Sequence, residues 1–475
     1  MVARSPGQPR NYSNAAPRLA KRQPDVPPLS EGVGEDGGMD SPRGAAADVV
    51  TLCRDLIRID TSNYGRGTAT GEREAAEYVA GALAEVGIES TLLESEPRRT
   101  SLVAHWEPVG CDPSLPPLLL HGHTDVVPAV ADDWRADPFS GELKDGYVWG
   151  RGAVDMKDFD AIMLAVIRDR VRTGRPPRRP IRLVMTADEE AGGPLGAGWL
   201  AANHPDLLAD CTEAIGEVGG FSLTVNQRRL YLIQVAEKGI AWLNLIADGR
   251  AGHGSFRNDD NAITSLAEAV TRIGNHRWPV RLHPAQQALL QAIEDALGVQ
   301  LTAETAEETL ARVGSLARMI GATMSNTANP TMLQAGYKMN VIPGQATAGL
   351  DGRFLPGYED EFYATITDLL GDKVRYEVET ADIAVETDFS GDLVAAMGRC
   401  LRAEDPEAIP VPYIMSGGTD AKAWSRLGIR CFGFAPLRLP PELDFAALFH
   451  GVDERVPVES LEFGCRVLDR LLDEA

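Results

Sequence analysis

The sequence predicts an α/β fold: a mostly parallel mixed sheet with helices on both faces, carrying an inserted α+β segment. Three observations predict it. Short apolar runs such as Leu118-Leu119-Leu120 and Ile181–Thr186 alternate with stretches whose apolar residues recur at helical spacing, the pattern of a parallel sheet covered on both sides. Each run feeds directly into histidines or carboxylates, and in such sheets ligands collect at the carboxyl ends of the strands. After Gly239 the pattern changes to half-exposed strands and a long acidic helical stretch.

In chain order, Asp48–Ile59 carries Val49, Leu52, Cys53, Leu56 and Ile57 on one helical face, and a second helix is expected over Glu72–Val86. Strands follow near Ser90–Glu94, Ser101–His105 and Leu118–His121. Phe139–Gly152 is turn-rich, and Asp158–Arg172 is helical. The strand Ile181–Thr186 runs into Asp188-Glu189-Glu190, and a short strand, Glu213–Gly216, delivers Glu217. In the insertion, Trp242–Ala247 alternates as a half-exposed strand and a turn surrounds His253. Asn261–Ile273 and Pro284–Ile320 are helical, and strands resume at Met332–Ala335 and Ala346–Arg353. The parent domain is expected to return with Glu361–Leu370 and to end in a helix over Val458–Leu472. The resulting division is a disordered tail (1–42), a catalytic domain (43–239 and 356–475) and an insert (240–355). The tail is rich in Pro, Gly and Ser and lacks the apolar core of a secretory signal. Helical patterning begins soon after Met39, so translation is expected to start there.

A chain of 475 residues is long for one core. Its net charge of -23 argues against nucleic acid or an anionic membrane as partner, and no run reaches the ~20 apolar residues of a membrane span. The six cysteines are scattered and form no Cys-x-x-Cys pair, which suits free thiols in a reducing, cytoplasmic compartment.

The chemistry centres on His121-Gly122-His123-Thr124-Asp125. If the strand continues, its period of two puts His121, His123 and Asp125 on one face. A carboxylate that takes one ring N–H frees the other imidazole nitrogen for a metal. Asp155 follows a Gly-rich turn, Glu189 and Glu190 follow a strand, Glu217 precedes Gly219-Gly220, and His450 lies just before the last helix. Singly, each is weak: an Asp after a glycine turn is usually a turn residue, an acidic pair is usually a solvated face, and a lone histidine usually sits satisfied in a loop. Together, two histidines and three carboxylates suit a pair of borderline cations such as zinc. A shared carboxylate can hold two such ions ~3.5–4 Å apart. Adjacent glutamates at a strand end point to opposite sides, leaving one to bind metal and the other to handle protons.

The linear order of these segments, with Gly-His-Gly-Ser at 252–255, Asn-x-Ile-Pro at 340–343, Asp-x-Arg at 351–353 and Gly-Gly-Thr-Asp at 417–420, resembles the co-catalytic zinc peptidase family. That family includes carboxypeptidase G, carboxypeptidase S, aminoacylase, acetylornithine deacetylase and succinyl-diaminopimelate desuccinylase. The resemblance runs over about residues 45–475. It implies two Zn2+ per subunit, with Co2+ or Mn2+ as substitutes. His123, Asp155 and Glu217 would hold one ion, and Asp155, Glu190 and His450 the other. Asp125 would steer the His123 ring, and Glu189 would take a proton from water and return it to the leaving nitrogen. A cis peptide bond would follow Asp155. His253 would reach into a partner subunit's site and stabilise the oxyanion, making the protein a homodimer through its lid. Arg353, Asn340 and the turn at Gly418 and Thr419 would grip the carboxylate of an N-acyl amino acid or short peptide, for which the planar fork of Arg is suited.

The chain departs from the family pattern at Asp158-Phe159-Asp160, where small residues are usual, at Glu217-Val218-Gly219-Gly220, which is one residue longer, and at Phe256-Arg257-Asn258, which replaces a proline. None removes a ligand. Two rival readings are an aminopeptidase with a similar two-metal site, disfavoured by the long insertion carrying His253, and a non-catalytic member that binds metal or peptide, disfavoured by the retained Glu189.

Overall fold

The computed structural model describes residues 44–65, 67–300 and 320–475. The expected tail, the start at Met39 and the second half of the Pro284–Ile320 stretch lie outside these residues. Within them the larger sheet has ten strands. Along its path these run Ser90–Glu96, Arg99–Trp106, Ile181–Thr186, Leu118–His123, Glu213–Gly216, Arg430–Gly433, Arg228–Glu237 and Val385–Glu386. Ile409–Met415 and Ser222–Val225 also pair with Arg228–Glu237. The four central strands, 181–186, 118–123, 213–216 and 430–433, are parallel. The flanking pairs 90–96/99–106 and 99–106/181–186 are antiparallel.

The apolar runs are strands because both of their faces are covered. Every residue of Leu118–His123 and Ile181–Thr186 is buried. Leu118, Leu120, Leu183 and Ile215 point into one core with the helices Ala45–Arg58, Lys157–Arg172 and Val458–Glu474. Leu119, Val184 and Ala214 point into a second with Trp424 and Leu200. That alternation is the period of two expressed on a sheet with helices above and below. Between His121 and His123, Gly122 is required by close approach: a Cβ there would lie 2.1 Å from Asp160 Oδ1.

A second sheet is antiparallel in the order Thr327–Ala335, Gln345–Phe354, Gly239–Asp248, Val374–Asp382. The helices Ala262–Asn275 and Glu359–Leu370 cover one of its faces, where Leu243, Leu245, Leu266, Phe362 and Ile366 are buried together. The chain therefore does not return to the large sheet at residue 356: the helix Glu359–Leu370 and a further strand belong to the small one. Conversely, the helix Pro284–Leu297, expected in the insert, buries Leu289 and Ile293 in the large sheet's core. An apolar helical stripe states that a helix is packed, and it is silent on which sheet receives it.

The turn-rich Phe139–Gly152 stretch contains two short strands, Glu142–Lys144 and Tyr147–Trp149, and Arg455–Pro457 pairs with the second. This small sheet brings the segment before Asp155 alongside the segment after His450, though some 300 residues separate them.

Candidate metal centre

Three strand ends and two loops, those of Asp155 and His450, converge. His123 closes its strand, Glu217 follows Gly216, and the Glu189–Ala191 turn follows Thr186 by way of Asp188, whose φ is +68°. His123 Nε2 lies 3.2 Å from Asp155 Oδ1, 3.3 Å from Glu217 Oε2 and 3.8 Å from Glu189 Oε2. His450 Nε2 lies 3.2 Å from Asp155 Oδ2 and 3.1 Å from Glu190 Oε2. The peptide bond Asp155–Met156 is cis.

Ligand atoms of His123, Glu189 and Glu217 fall within 4.8 Å of one another, as do those of Asp155, Glu190 and His450. The two oxygens of Asp155 face different imidazoles, the arrangement a carboxylate shared by two cations needs. The donors are imidazole nitrogen and carboxylate oxygen, without thiolate, and suit zinc-like or harder divalent ions. The carboxylates here are crowded and buried, and the nearby cations are committed elsewhere. Arg151 pairs with Glu454 at 2.6 Å. Lys157 donates to the Leu56 and Ile59 carbonyls, and burial pushes its ammonium down to about 8. Divalent cations would balance this charge, so the residues fit the group.

The electrostatics carry the same signature. Burial, reinforced by the Glu217 charge, pushes Glu189 well above the ordinary carboxyl range. Burial and the Asp155 charge raise Glu190, and burial raises Glu217 against the opposing pull of His123. Burial would also raise Asp155, but hydrogen bonds with His123 and His450 outweigh it and hold it low. Hydrogen bonds with Asp155 and Glu190 raise His450 to about 10.

Asp125 organises the site in two directions. Its carbonyl is 3.0 Å from His123 Nδ1, closer than its carboxylate at 3.6 Å. The carboxylate instead accepts from the Glu189 and Glu190 amides at 3.1 and 3.2 Å, and from Asn63 Nδ2 at 2.8 Å. Asn63 also donates to Asp188, which Arg99 holds at 2.6 Å. On the opposite side Glu454 accepts from Arg151 and from the Val154 and Asp155 amides. Buried Asp420 accepts from the Thr186 hydroxyl. Sequence reasoning missed Asn63, Arg99, Arg151 and Glu454, and named Asp420 only within the Gly-Gly-Thr-Asp segment, without a role. Of the four missed, only Glu454, in the acidic Asp453-Glu454 pair following His450, offered a local signal.

Other expected residues fall differently. His121 is not in the cluster: its ring packs on Gly216 and edge-on against Trp424, and burial pushes it down to about 3. Arg353 is on the second sheet, where Asp351 engages its Nε at 2.7 Å. Thr419 turns its amide and hydroxyl to buried Glu237, and Gly418 stands against Lys422. Asn340 is exposed. His253 is exposed, with its ring against Ser255 and Phe256. Among the described residues no hydrogen bond or ion pair joins it to the cluster. Asp158 and Asp160 are fully buried beside Lys157, and burial raises both, Asp160 to about 8.

Residues 119–474 match the profile of Peptidase family M20/M25/M40. The chain is 28% identical over 386 residues to a probable carboxypeptidase S-like 2 of Dictyostelium discoideum, covering 76% of this chain and 71% of that protein. It is 29% identical over 387 residues to the human N-fatty-acyl-amino acid synthase/hydrolase PM20D1, with 77% and 75% covered. Aminoacylase-1 of Pongo abelii is 26% identical over 438 residues, with 89% and 94% covered. The same fold is seen in an M20 family metallo-carboxypeptidase, Sso-CP2, from Sulfolobus solfataricus, at TM-score 0.66 and 17% identity over 90% of this chain and 99% of that one. It recurs in a Bacillus subtilis dinuclear metal binding peptidase of the family, at TM-score 0.59 and 13% identity, with 90% and 97% covered. The family match spans the second sheet, all but two edge-side strands of the larger one and every segment of the cluster, and the chain belongs to Peptidase family M20/M25/M40, a family of metal-binding hydrolases.

Proposed function

We propose that the protein hydrolyses the amide bond of an N-acyl amino acid or short peptide bearing a free carboxylate, using two zinc ions per subunit. The observation that carries this reading is Asp155 set between two imidazoles, with Glu189 beside it and raised by burial. His123, Glu217 and Asp155 would hold one ion, and Asp155, Glu190 and His450 the other. Two bound ions supply Lewis acidity toward a carbonyl oxygen. Glu189 is the base that takes a proton from the attacking water and returns it to the leaving nitrogen, a role suited to a carboxyl tuned upward by its surroundings. Asp125 fixes both the His123 ring and the backbone of the glutamate turn. Arg353, once it exchanges Asp351 for substrate, takes the substrate carboxylate as a bidentate partner, with Asn340 and the Gly418–Thr419 turn as the further contacts that the family resemblance implies. The second sheet acts as a lid through which two subunits pair, bringing the partner's His253 to the oxyanion.

Printed names among the relatives support this class: a carboxypeptidase, an N-acyl amino acid hydrolase and an aminoacylase. The test is a hydrolysis screen of zinc-reconstituted protein against N-acetyl, N-succinyl and N-carbamoyl amino acids and dipeptides, each with free and blocked C-termini. Cleavage restricted to free carboxylates is expected. Equal rates on blocked C-termini would favour the aminopeptidase, and a metal-loaded protein inert on the whole panel would favour a binding protein.

A further inference from the structure

Val218, directly after Glu217, has a backbone conformation that its own side chain opposes: its φ is +55°. The left-handed region suits glycine, and a β-branched residue there is a strained outlier. The neighbouring chain explains the turn. The parallel strands 213–216 and 430–433 stay in register up to Gly216 and Gly433. Beyond them the Gly216 carbonyl accepts from the Phe434 amide at 2.8 Å, and the Gly219 carbonyl accepts from the Ala435 amide at 2.7 Å. Two consecutive amides on one side therefore bracket a longer stretch on the other, and Glu217 and Val218 are thrown out as an arch. Bulges of this kind re-aim side chains beside active sites. Gly219 brings the chain back, since a Cβ there would lie 2.0 Å from the Gly433 carbonyl oxygen. Within the arch the Val218 carbonyl accepts from the Tyr413 hydroxyl. Tyr413 is buried on the strand Ile409–Met415, with the Phe221 ring edge-on to its own, so that hydroxyl is a fixed point. Val218 is half-buried and belongs to none of the apolar cores.

We infer that Tyr413 and Val218 are positioning residues for the ion assigned to His123, Glu217 and Asp155. The Tyr413 hydroxyl holds Val218 in its left-handed conformation, and that turn sets the Glu217 carboxylate 3.3 Å from His123 Nε2. The inference rests on the two-metal reading above and deepens it, by naming what presets one of the ligands. Packing does not account for a valine here, because its side chain fills no core. A turn with no task beyond redirecting the chain is met by glycine, as two residues on at Gly220, whose φ is +77°. A β-branched residue is stiff, so once the hydroxyl forces the turn the arch has one shape, whereas glycine would allow many. Strain kept beside a ligand marks a geometry held for function.

The test is a zinc titration of the full chain against a chromophoric chelator, with no substrate present, on the wild type, Tyr413→Phe, Val218→Gly and the double variant. Tyr413→Phe should weaken one of the two ions about 10–100-fold, the usual cost of losing a group that orients a ligand, and leave the other within about twofold. In Val218→Gly the hydroxyl no longer works against strain, so adding Tyr413→Phe should cost less than about threefold, a non-additivity that the four proteins measure directly. In Glu217→Gln, which already lacks the ligand, Tyr413→Phe should weaken nothing further, and this assigns the affected ion. Equal weakening of both ions would show a general loosening and overturn the inference. An equal loss with and without Val218→Gly, or no loss at all, would overturn it too. A chain that binds two zinc ions and hydrolyses no acyl amino acid or dipeptide sinks the hydrolase reading and leaves this titration decisive. A chain that takes up no zinc sinks both.

Discussion

At the scale of single residues, the position of Glu189 is the sharpest question. Its Oε2 lies 3.8 Å from His123 Nε2, while Glu217 lies at 3.3 Å and Asp155 at 3.2 Å. It is near enough to be counted among the ligands and far enough to stay free. Glu189→Gln separates the two. As a base it loses ~10²–10⁴ in turnover with two zinc ions still bound by elemental analysis; as a ligand it loses metal as well. The base is the expected outcome. His450 gives a second prediction. In the metal-free chain its hydrogen bonds with Asp155 and Glu190 raise it to about 10, so across neutral pH the imidazole is protonated. A metal needs it neutral, so loading must expel that proton. Apparent affinity should therefore rise as pH rises toward 10, by about tenfold per unit for each proton released. Titration calorimetry in buffers of different ionisation enthalpy counts those protons, and a count of zero below pH 9 would contradict the His450 assignment. The ligands themselves were legible because apolar runs ended on them: His123 after three leucines, Glu217 after Ala214-Ile215-Gly216. Their supports were not. Asn63, Arg99 and Glu454 reach the site across 62, 89 and about 300 positions, and no local period records a contact of that range.

At the scale of elements, strand ends position three of the candidate ligands, and a small sheet positions the other two, Asp155 and His450. Pairing of Arg455–Pro457 with Tyr147–Trp149 sets the two loops side by side, and Glu454 locks them: its Oε2 takes Arg151 at 2.6 Å and its Oε1 takes the Val154 amide at 2.7 Å. Glu454→Ala leaves the buried Arg151 guanidinium without its carboxylate, holding only the Gly451 carbonyl, and takes the acceptor from the Val154 and Asp155 amides, a loss of ~3–5 kcal/mol for a broken buried pair. Urea unfolding of the metal-free protein should show that drop, with Glu454→Gln nearer wild type because one amide oxygen still accepts. The glutamate turn shows how a right expectation can rest on the wrong element. Strand alternation was to send Glu189 and Glu190 to opposite sides. The strand ends at Thr186, and a left-handed Asp188 starts a tight turn instead. The side chains still diverge, one toward His123 and one toward His450, because Asp125 pins both backbone amides. The boundary of the second sheet was illegible for another reason. Val374–Asp382 exposes most of its residues, so it carries no alternation to read, and only its pairing with Gly239–Asp248 reveals it.

At the scale of the whole molecule, one chain does not complete the site that the family resemblance describes. His253 sits exposed on a two-residue strand paired with Val341–Ile342, in contact with Ser255 and Phe256 rather than with any member of the cluster. Around it Phe256, Tyr337 and Met339 are 71%, 83% and 100% exposed, and Leu333 on the edge strand Thr327–Ala335 is 65% exposed. Apolar side chains gathered beside an unpaired strand edge are what a second copy would cover. If the copies pair by a two-fold, each His253 serves the other's metals, and the two halves of one site lie on different chains. Two dead variants should then rescue each other. Glu189→Gln lacks the base but offers a sound His253; His253→Ala lacks the imidazole but keeps Glu189. Each alone should be inactive. Mixed and allowed to exchange, half of the dimers become hybrids with one intact site in two, so activity should return to about a quarter of wild type, as closed two-fold symmetry requires. Measured after slow re-equilibration and set against sedimentation of each variant, that recovery tests the dimer and the role of His253 together. Variants that sediment as dimers, exchange subunits and recover nothing would mean that His253 acts within its own chain or not at all.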